Sequence, residues 1–498
     1  MKKNIQKIEF GDFQTPDELA DNVCKVLKLQ GINPQSILEP TCGRGSFLIR
    51  ALHYFEYSKR VIGIDINQNY LEHLRNALQK LNISDVDVRH ENFFAVNWKK
   101  IISELPEPIL IIGNPPWVTN SELGTLNGSN LPVKCNFQQH KGMDAMTGKS
   151  NFDISEWMLV HLLQQIQNRE AVLAMLCKTS IARKVLKYAW NNQLRISEAA
   201  IYNIDANHYF DVSVDACLFV CKTDSTNHYS QTCDVYSELF SNKVSASIGI
   251  RDNDLIADMK MYQKWAHFNG EKNCHWRSGI KHDCAEVMEL KAENGEYANR
   301  QGEIVCLEKE LLYPFFKSSD IAKNEVKYPK RWVIVPQKNI GDNTENLRTQ
   351  SPALWNYLLK HADKLDNRKS SIYKAKPRFS IFGIGSYSFA PWKVAISGLY
   401  KTIRFSVVGT YDGKPAMVDD TCYFLPCKSK ESAMLVADML NSPIAKEFLN
   451  AFIFWDSKRP ITANILSQIN LAALAKELGM KNVFNDEDKQ IPLSQDMA

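Results

Sequence analysis

The sequence predicts an α/β protein, with an open and mostly parallel sheet over about the first 225 residues and a mixed α+β region after it. Three observations predict this fold class. Short apolar runs of buried-strand length alternate with helix-like segments, four successive runs end in polar or glycine-rich residues, and the alternation fades after about residue 225. Because open α/β sheets build their sites at the carboxyl ends of strands, the four run ends predict a functional site.

The predicted elements follow one another regularly. An amphipathic helix is expected over residues 18–29, with Pro16 at its start. The apolar runs predict strands over residues 36–38, 61–64, 86–90 and 108–112. Each strand except the last is followed by a segment with helical periodicity, which is the pattern of consecutive βαβ units.

The turn after the first strand contains Gly43 and Gly45. Glycine takes φ > 0 and lets a ligand approach the backbone, and the helix start behind the turn offers N–H groups to a carboxylate or phosphate. Such a turn alone is more often only a tight turn. Asp65 adds weight to it, because an acidic residue about 20 residues further on, at the end of the next strand, can accept both hydroxyls of a ribose.

The strand over residues 108–112 leads into Asn114-Pro115-Pro116-Trp117. Each proline holds φ at about −65° and lacks an N–H donor. The polar groups that this corner offers to a ligand are therefore acceptors, namely the Asn114 carboxamide oxygen and a backbone carbonyl, beside the indole face of Trp117. This corner suits a planar group that carries an NH2, such as the exocyclic amine of a nucleobase. A loop corner capped by a packed Trp is the structural alternative.

These motifs, in this order, resemble the gamma group of DNA adenine-N6 methyltransferases, the TaqI-like enzymes. The resemblance covers about the first 220 residues and rests on Phe13-Gln14-Thr15-Pro16, Glu39-Pro40-x-Cys42-Gly43-x-Gly45-x-Phe47, Asp65, Asn92-Phe93 and Asn114-Pro115-Pro116-Trp117. It implies a Rossmann-like class I methyltransferase domain with S-adenosylmethionine as the cofactor. It also implies the cofactor contacts Phe13, Thr15, Glu39, Pro40, Thr41, Gly43, Gly45, Asp65, Ile66, Asn92 and Phe93.

Within that set the resemblance implies separate roles. Thr15 and the loop over residues 39–45 would face the methionine part of the cofactor, and Asp65 would hold the ribose. Ile66 and Phe93 would flank the adenine ring, with Asn92 at its edge. Many relatives have Asp where this chain has Asn92, but a carboxamide oxygen can still accept from the adenine amine.

The resemblance places catalysis at residues 114–117 and at Phe210. The N6 lone pair of adenine is delocalised into the ring. Acceptance of both amine hydrogens by Asn114 Oδ1 and the Pro115 carbonyl would aim that lone pair at the methyl group. The base has to be flipped out of the duplex, with Trp117 on one face and Phe210 on the other, although core packing explains Phe210 equally well. No covalent intermediate is needed, and the chain has no Pro-Cys motif of the cytosine-C5 type.

The whole chain sets wider bounds. Its 498 residues predict two or three domains, and its net charge of +4 means that a polyanion must meet a local basic patch. Without a signal-like start or an apolar run of about 18 residues, we expect a cytoplasmic protein, monomeric and with no membrane partner. The 12 cysteines include no Cys-x-x-Cys pair, so buried free thiols such as Cys217 and Cys221 are expected rather than disulfides, and no metal site is expected.

The stretch from Arg368 to Thr410 lacks Asp and Glu but carries eight Lys and Arg residues interleaved with aromatics. This composition favours a surface for phosphates and bases over a solvated basic loop. The expected DNA contacts are Lys374, Lys376, Arg378, Lys393, Lys401 and Arg404. The expected domains are a catalytic domain over 1–225, a DNA target-recognition domain over 240–475 and a tail over 476–498. Within the catalytic domain, the polar segment 120–147 is predicted to be either a loop that closes over the substrate or a surface loop without that role.

The function implied is site-specific methylation of adenine N6 in double-stranded DNA, which protects host DNA in a restriction-modification system. The same corner could hold the amine of cytosine N4, of RNA or of a protein glutamine, and a DNA- or cofactor-binding protein without activity is the alternative outside catalysis. No fused nuclease is expected, since the chain begins only a few residues before Phe13 and shows no acidic nuclease cluster. Any partner restriction endonuclease would be a separate chain.

Overall fold

The computed structural model describes residues 14–118, 153–226, 229–270, 274–293 and 296–480. Phe13 and the segment 120–147 lie outside these residues, as does the tail from residue 481. The chain divides into two compact units, residues 1–260 and 261–498. Among the described residues, no helix is long and apolar enough to cross a membrane.

A single ten-stranded sheet organises the described part of the first unit, in the order β10-β9-β8-β6-β7-β5-β4-β1-β2-β3. Its strands are β1 Ser36–Glu39, β2 Arg60–Asp65, β3 Val86–His90, β4 Ile109–Gly113, β5 Ala171–Lys178, β6 Glu198–Ile204, β7 Ala216–Thr223, β8 Thr232–Tyr236, β9 Val244–Arg251 and β10 Asp254–Ile256. The first five strands pair in parallel, whereas β7 is antiparallel to both β5 and β6. The predicted Rossmann-like α/β fold is therefore confirmed.

The helices of this unit cover the faces of the sheet. They are α1 Asp17–Leu29, α2 Ser46–Tyr54, α3 Gln68–Lys80, α4 Trp98–Ser103, α5 Ile154–Gln165, α6 Thr179–Asn191 and α7 Ala206–Phe210, and α8 Met259–Trp265 starts at its end. In α1, Leu19, Val23 and Leu27 recur every four residues and are all buried, so one face of the helix enters the core. The helix predicted over 18–29 is thus confirmed.

The order of the strands places a crevice at the centre of this sheet. From β1 the chain builds outward through β2 to β3, then returns to the other side of β1 as β4. The order reverses between β1 and β4, and ligands of open α/β sheets bind at the carboxyl ends of strands at such a point. All five residues of β4 are buried, so this strand is a rigid support for the residues that follow Gly113.

The first unit extends beyond residue 225, where the sequence predicted the end of the catalytic domain. Strand β8 pairs in parallel with β6, in the register Ala200↔Asp234, and β9 and β10 continue the sheet by antiparallel pairing. These backbone hydrogen bonds join residues 232–256 to the first unit, whereas the recognition domain was predicted to begin at 240.

The second unit contains four-, six- and two-stranded sheets in its described part. Its strands are β11 Arg277–Ser278, β12 Glu289–Glu293, β13 Glu296–Asn299, β14 Ile304–Val305, β15 Leu312–Phe316, β16 Arg331–Ile334, β17 Trp392–Ser397, β18 Phe405–Val408, β19 Thr410–Tyr411, β20 Lys414–Pro415, β21 Met417–Val418 and β22 Cys422–Cys427. Its helices are α9 Ala285–Met288, α10 Ser318–Lys323, α11 Leu347–Gln350, α12 Pro352–Lys360, α13 Ala362–Asp366, α14 Lys430–Asn441, α15 Pro443–Asn450, α16 Ala463–Leu466 and α17 Leu471–Glu477. This composition confirms the predicted mixed α+β class.

The cysteines of the described residues are free thiols, and most of them are buried. Cys217 and Cys221 lie in β7 and are fully buried, as predicted. Burial raises the pKa of the Cys221 thiol, so it stays protonated and packs as a small apolar side chain.

Candidate active site

Four of the predicted strand ends meet at one edge of the sheet. Glu39 is in register with Gly63 of β2, and Asp65 is in register with His90 of β3. On the other side of β1, a Cβ added to Gly113 would lie 3.6 Å from Glu39 Cγ. The residues that follow β1, β2, β3 and β4 therefore surround one crevice.

The glycine turn after β1 needs its glycines. Gly43 has φ +50° and Gly45 has φ +84°, both in the left-handed region. A Cβ on Gly45 would also lie 2.3 Å from Leu74 Cδ1 of α3, so a side chain there would collide with the packed helix. The turn brings the start of α2 close to the end of β2.

Asp65 holds this turn in place. Its Oδ2 accepts from the backbone N–H of Gly43 at 2.8 Å, and its Oδ1 accepts from the N–H of Asn67 at 2.8 Å. A carboxylate offers about four acceptor positions, so one side chain can hold the turn and also contact a ligand. Asp65 therefore both anchors the loop and presents carboxylate oxygens at the edge of the crevice.

Glu39 and Thr41 fit the amino-acid part of S-adenosylmethionine. Glu39 is only 3% exposed, and its Oε2 accepts from Leu48 N–H at 3.0 Å. Burial raises the pKa of Glu39; the Leu48 bond lowers it and the nearby Asp65 raises it further. An ammonium placed beside this buried carboxyl would favour its ionised form and lower its pKa, which is the contact that the amino group of the cofactor could make. The Thr41 hydroxyl is also buried, and among the described residues it has no hydrogen-bond partner, so it suits a polar ligand.

The predicted adenine contacts differ in exposure. Ile66 is 39% exposed at the edge, whereas Phe93 is buried against Trp98, with ring centroids 4.6 Å apart. Asn92 Oδ1 accepts from the backbone N–H of Phe94 at 3.0 Å. An amine of the cofactor would therefore use the second lone pair of that oxygen. The cofactor roles of these residues remain predictions.

The segment before α1 lies between the glycine turn and the corner after β4. Asn114 Nδ2 donates to Thr15 Oγ1 at 3.2 Å, and the Arg44 N–H donates to Gln14 Oε1 at 3.4 Å. The first bond orients the Asn114 carboxamide with its nitrogen towards Thr15 and its oxygen on the other side. Of the predicted cofactor set, only Phe13 falls outside the described residues.

The rings of Trp117 and Phe210, which were predicted to lie on opposite faces of the base, are in direct contact with each other. Trp117 is buried, and Phe210 ends the short helix α7. The ring centroids are 5.3 Å apart with an interplanar angle of 67°. A base held between two parallel rings needs about 3.5 Å on each face, roughly 7 Å in all. In this structure the two rings are therefore packed edge to face and do not form an open slot.

Sequence reasoning missed Lys178, whose ammonium donates to the Trp117 carbonyl at 3.2 Å. Lys178 is the last residue of β5, so the strand-end argument applied to β1 through β4 could have found it. It also missed Trp157 and His161 of α5, whose rings stack at 4.9 Å beside Phe93.

The predicted DNA contacts need two corrections. Lys393 is only 1% exposed, and its Nζ donates to the Ala390 carbonyl at 2.8 Å. Burial lowers the pKa of Lys393 to about 7, so it is a core residue of β17 and not a phosphate contact. Arg378 is not unopposed, because it pairs with Asp366 at 2.7 Å. The exposed members of the predicted set are Lys374, Lys376, Arg378, Lys401 and Arg404.

The chain is similar to known proteins in sequence and, more distantly, in structure. A family model described as N-6 DNA Methylase matches residues 2–297. A curated relative, Type II methyltransferase M.NspV of Nostoc sp. (strain ATCC 29411 / PCC 7524), is 48% identical over 481 residues, which are 96% of this chain and 99% of the relative. Among solved structures, the Type IIL restriction-modification enzyme MmeI in complex with DNA is 13% identical with a TM-score of 0.47, over 97% of this chain and 76% of that one. A class I S-adenosylmethionine-dependent methyltransferase from Listeria monocytogenes is 15% identical with a TM-score of 0.33, over 47% and 68%.

Proposed function

Since this chain belongs to the N-6 DNA methylase family, we propose that it methylates N6 of an adenine that it flips out of duplex DNA. It is an S-adenosylmethionine-dependent DNA methyltransferase of the restriction-modification type. The finer proposal concerns the flipped base and the residues that hold it. It rests on one observation: Asn114 lies at the carboxyl end of β4, bonded to Thr15, beside the turn that Asp65 anchors.

At this corner the protein acts by orientation. S-adenosylmethionine supplies a methyl group on a positively charged sulfur. Asn114 Oδ1 and the Pro115 carbonyl each accept a hydrogen bond from one N–H of the adenine amine. These bonds draw the two hydrogens out of the ring plane, which makes the nitrogen lone pair available for attack. Pro115 is buried and Pro116 follows it, so the carbonyl is held by a backbone with restricted φ. Preorganised acceptors of this kind need no reorganisation during the reaction.

Entry of the base requires Trp117 and Phe210 to separate. Their present edge-to-face contact covers apolar ring surface that a stacked base would otherwise cover. Phe210 lies on a helix of five residues, and the next residue, Asp211, has φ +54°. A short helix that ends in a left-handed residue can shift with less disturbance than the strand below Trp117. We therefore propose that Phe210 moves and Trp117 stays.

The second unit is proposed to read the DNA. Replacing Lys374 and Lys376 together by alanine should weaken DNA binding several-fold, because both side chains are exposed. The slope of log K against log salt concentration should become less steep by about two units, about one for each phosphate contact that is lost. The matched control is Lys393→Met, which removes a buried amino group and should leave the salt slope unchanged. Fluorescence anisotropy at several salt concentrations measures both. Equal slopes for wild type and the double variant would remove these lysines from the interface.

The proposed biological partner is a restriction endonuclease. Methylation of a recognition sequence blocks cleavage by an endonuclease of the same specificity, so we propose that a separately encoded restriction endonuclease accompanies this chain. We also propose that the methyltransferase acts as a monomer on double-stranded DNA.

The proposed function is tested with the wild-type protein and methyl-labelled S-adenosylmethionine. We expect label to enter plasmid DNA, and sequencing that detects modified bases should map it to N6 of adenines within one recurring sequence. Total RNA and an unrelated protein serve as parallel substrates. Label confined to RNA or protein would contradict the proposal. Label on cytosine N4 would support methylation of an amine held by Asn114 and Pro115 but would contradict adenine as the substrate base.

A further inference from the structure

Lys178 joins the candidate corner to the start of α5. Its ammonium donates to the Trp117 carbonyl at 3.2 Å and to Asp153 Oδ2 at 2.7 Å. Lys178 ends β5, three residues after Met175, which is in register with Gly113 of β4. The ammonium therefore lies just past the end of β4, at the point where the chain turns through the corner.

The carboxylate that receives Lys178 is itself held firmly. Asp153 is only 5% exposed, and its Oδ1 accepts from both the backbone N–H and the hydroxyl of Ser155, at 3.1 and 2.6 Å. Next to it, the Ile154 N–H donates to the Val118 carbonyl at 3.0 Å. Two successive carbonyls of the corner, those of Trp117 and Val118, are thus bonded to Lys178 and to the start of α5.

We propose that Lys178 is a positioning residue for methyl transfer. It acts through the Trp117 peptide: by holding that carbonyl, the ammonium sets where the indole stands relative to the base that Asn114 receives. This inference rests on the proposed function. A second ion pair, Lys184 to Glu156 at 3.0 Å, likewise uses a buried carboxylate at the start of α5. This pair joins helix α6 to helix α5. It is therefore the matched control for an ion pair with a purely structural role.

The test compares Lys178→Met with Lys184→Met in methylation of a duplex that carries the recognition sequence. Misplacing a reacting group by about 1 Å can lower a rate about 100-fold. We expect Lys178→Met to lower kcat by about 10- to 100-fold with little change in KM for DNA, and Lys184→Met to keep the wild-type kcat. Lys178→Arg should restore most of the rate, because a guanidinium can donate to both oxygens. Lys178→Gln is made alongside in case the Met variant does not fold, and should show the same defect.

A double-mutant cycle separates positioning from stability. If Lys178 acts through Trp117, Lys178→Met should add almost nothing to the rate defect of Trp117→Ala, although it lowers the unfolding temperature in both backgrounds. The role of Lys178 is overturned if the rate defects of Lys178→Met and Trp117→Ala simply multiply in the double variant. It is also overturned if Lys178→Met has the same kcat as Lys184→Met. Either result leaves the proposed function intact as long as the wild type methylates DNA. Absence of methylation by the wild type would instead contradict the proposed function, and with it the role of Lys178.

Discussion

Asn114→Ala should lower the rate of methyl transfer by roughly 10²- to 10³-fold, the usual loss when one preorganised hydrogen-bonding group is removed from a reacting centre. The affinity for S-adenosylmethionine should change by about tenfold at most, because the Asn114 to Thr15 bond is a single neutral hydrogen bond. Single-turnover methylation measures the first quantity, and titration calorimetry with the cofactor measures the second. A rate defect without a binding defect would place Asn114 on the substrate amine.

Two further variants sharpen this experiment. Asn114→Asp keeps acceptor oxygens but loses the Nδ2 donor to Thr15, so it should retain more activity than the alanine variant. Asn470→Ala is the control, because it also removes an asparagine side chain, one that accepts from the backbone N–H groups of Ala472 and Ala473 at the start of α17. It should lower stability by about 1 kcal/mol through the lost helix cap and leave the rate unchanged. Turnover of Asn114→Ala at the wild-type rate would end the catalytic assignment.

Much of the fold of the first unit could be predicted from local patterns in the sequence. The strand predicted over residues 86–90 has the same bounds as β3, and the helix predicted over 18–29 differs from α1 by one residue. Such elements are predictable because an apolar run or a four-residue repeat is short-range information. The glycine turn and Asp65 could also be placed, since a parallel strand pair brings their ends together wherever the rest of the chain lies.

Other features depend on partners that are distant in sequence. Lys393 looked like a surface cation, but β17 lies between β18 and β22 and is covered on both faces, so its Nζ is buried. Lys178 and Trp117 are 61 residues apart in the sequence, so the strand-end argument could place Lys178 at the same edge of the sheet but could not predict its hydrogen bond to the Trp117 carbonyl. The direct contact of Trp117 with Phe210 likewise results from how α7 packs on the sheet. Packing of this kind is tertiary information, which propensity and periodicity do not contain.

Asp65→Asn is expected to reduce the affinity for S-adenosylmethionine by roughly 10- to 100-fold, because a hydrogen bond to a charged group contributes about 1.5–3 kcal/mol. The effect has two sources. The carboxylate is the predicted acceptor for the ribose hydroxyls, and it also accepts from Gly43 and Asn67 N–H. An asparagine must turn its NH2 towards one of those two N–H groups, which sets donor against donor and loosens the turn. Calorimetric titration with the cofactor measures the affinity.

The control for Asp65→Asn is Glu308→Gln in the second unit. Glu308 Oε1 accepts from the backbone N–H of Ala353 and Glu308 Oε2 accepts from that of Leu354, both at 2.9 Å, so an amide there also sets a donor against a donor, at a carboxylate outside the residues that line the crevice. Comparable losses of unfolding temperature in the two variants, with lost cofactor affinity only in Asp65→Asn, would assign the carboxylate to the ribose. If Asp65→Asn loses stability but binds the cofactor like the wild type, Asp65 anchors the loop and the ribose must be held by other residues of this edge.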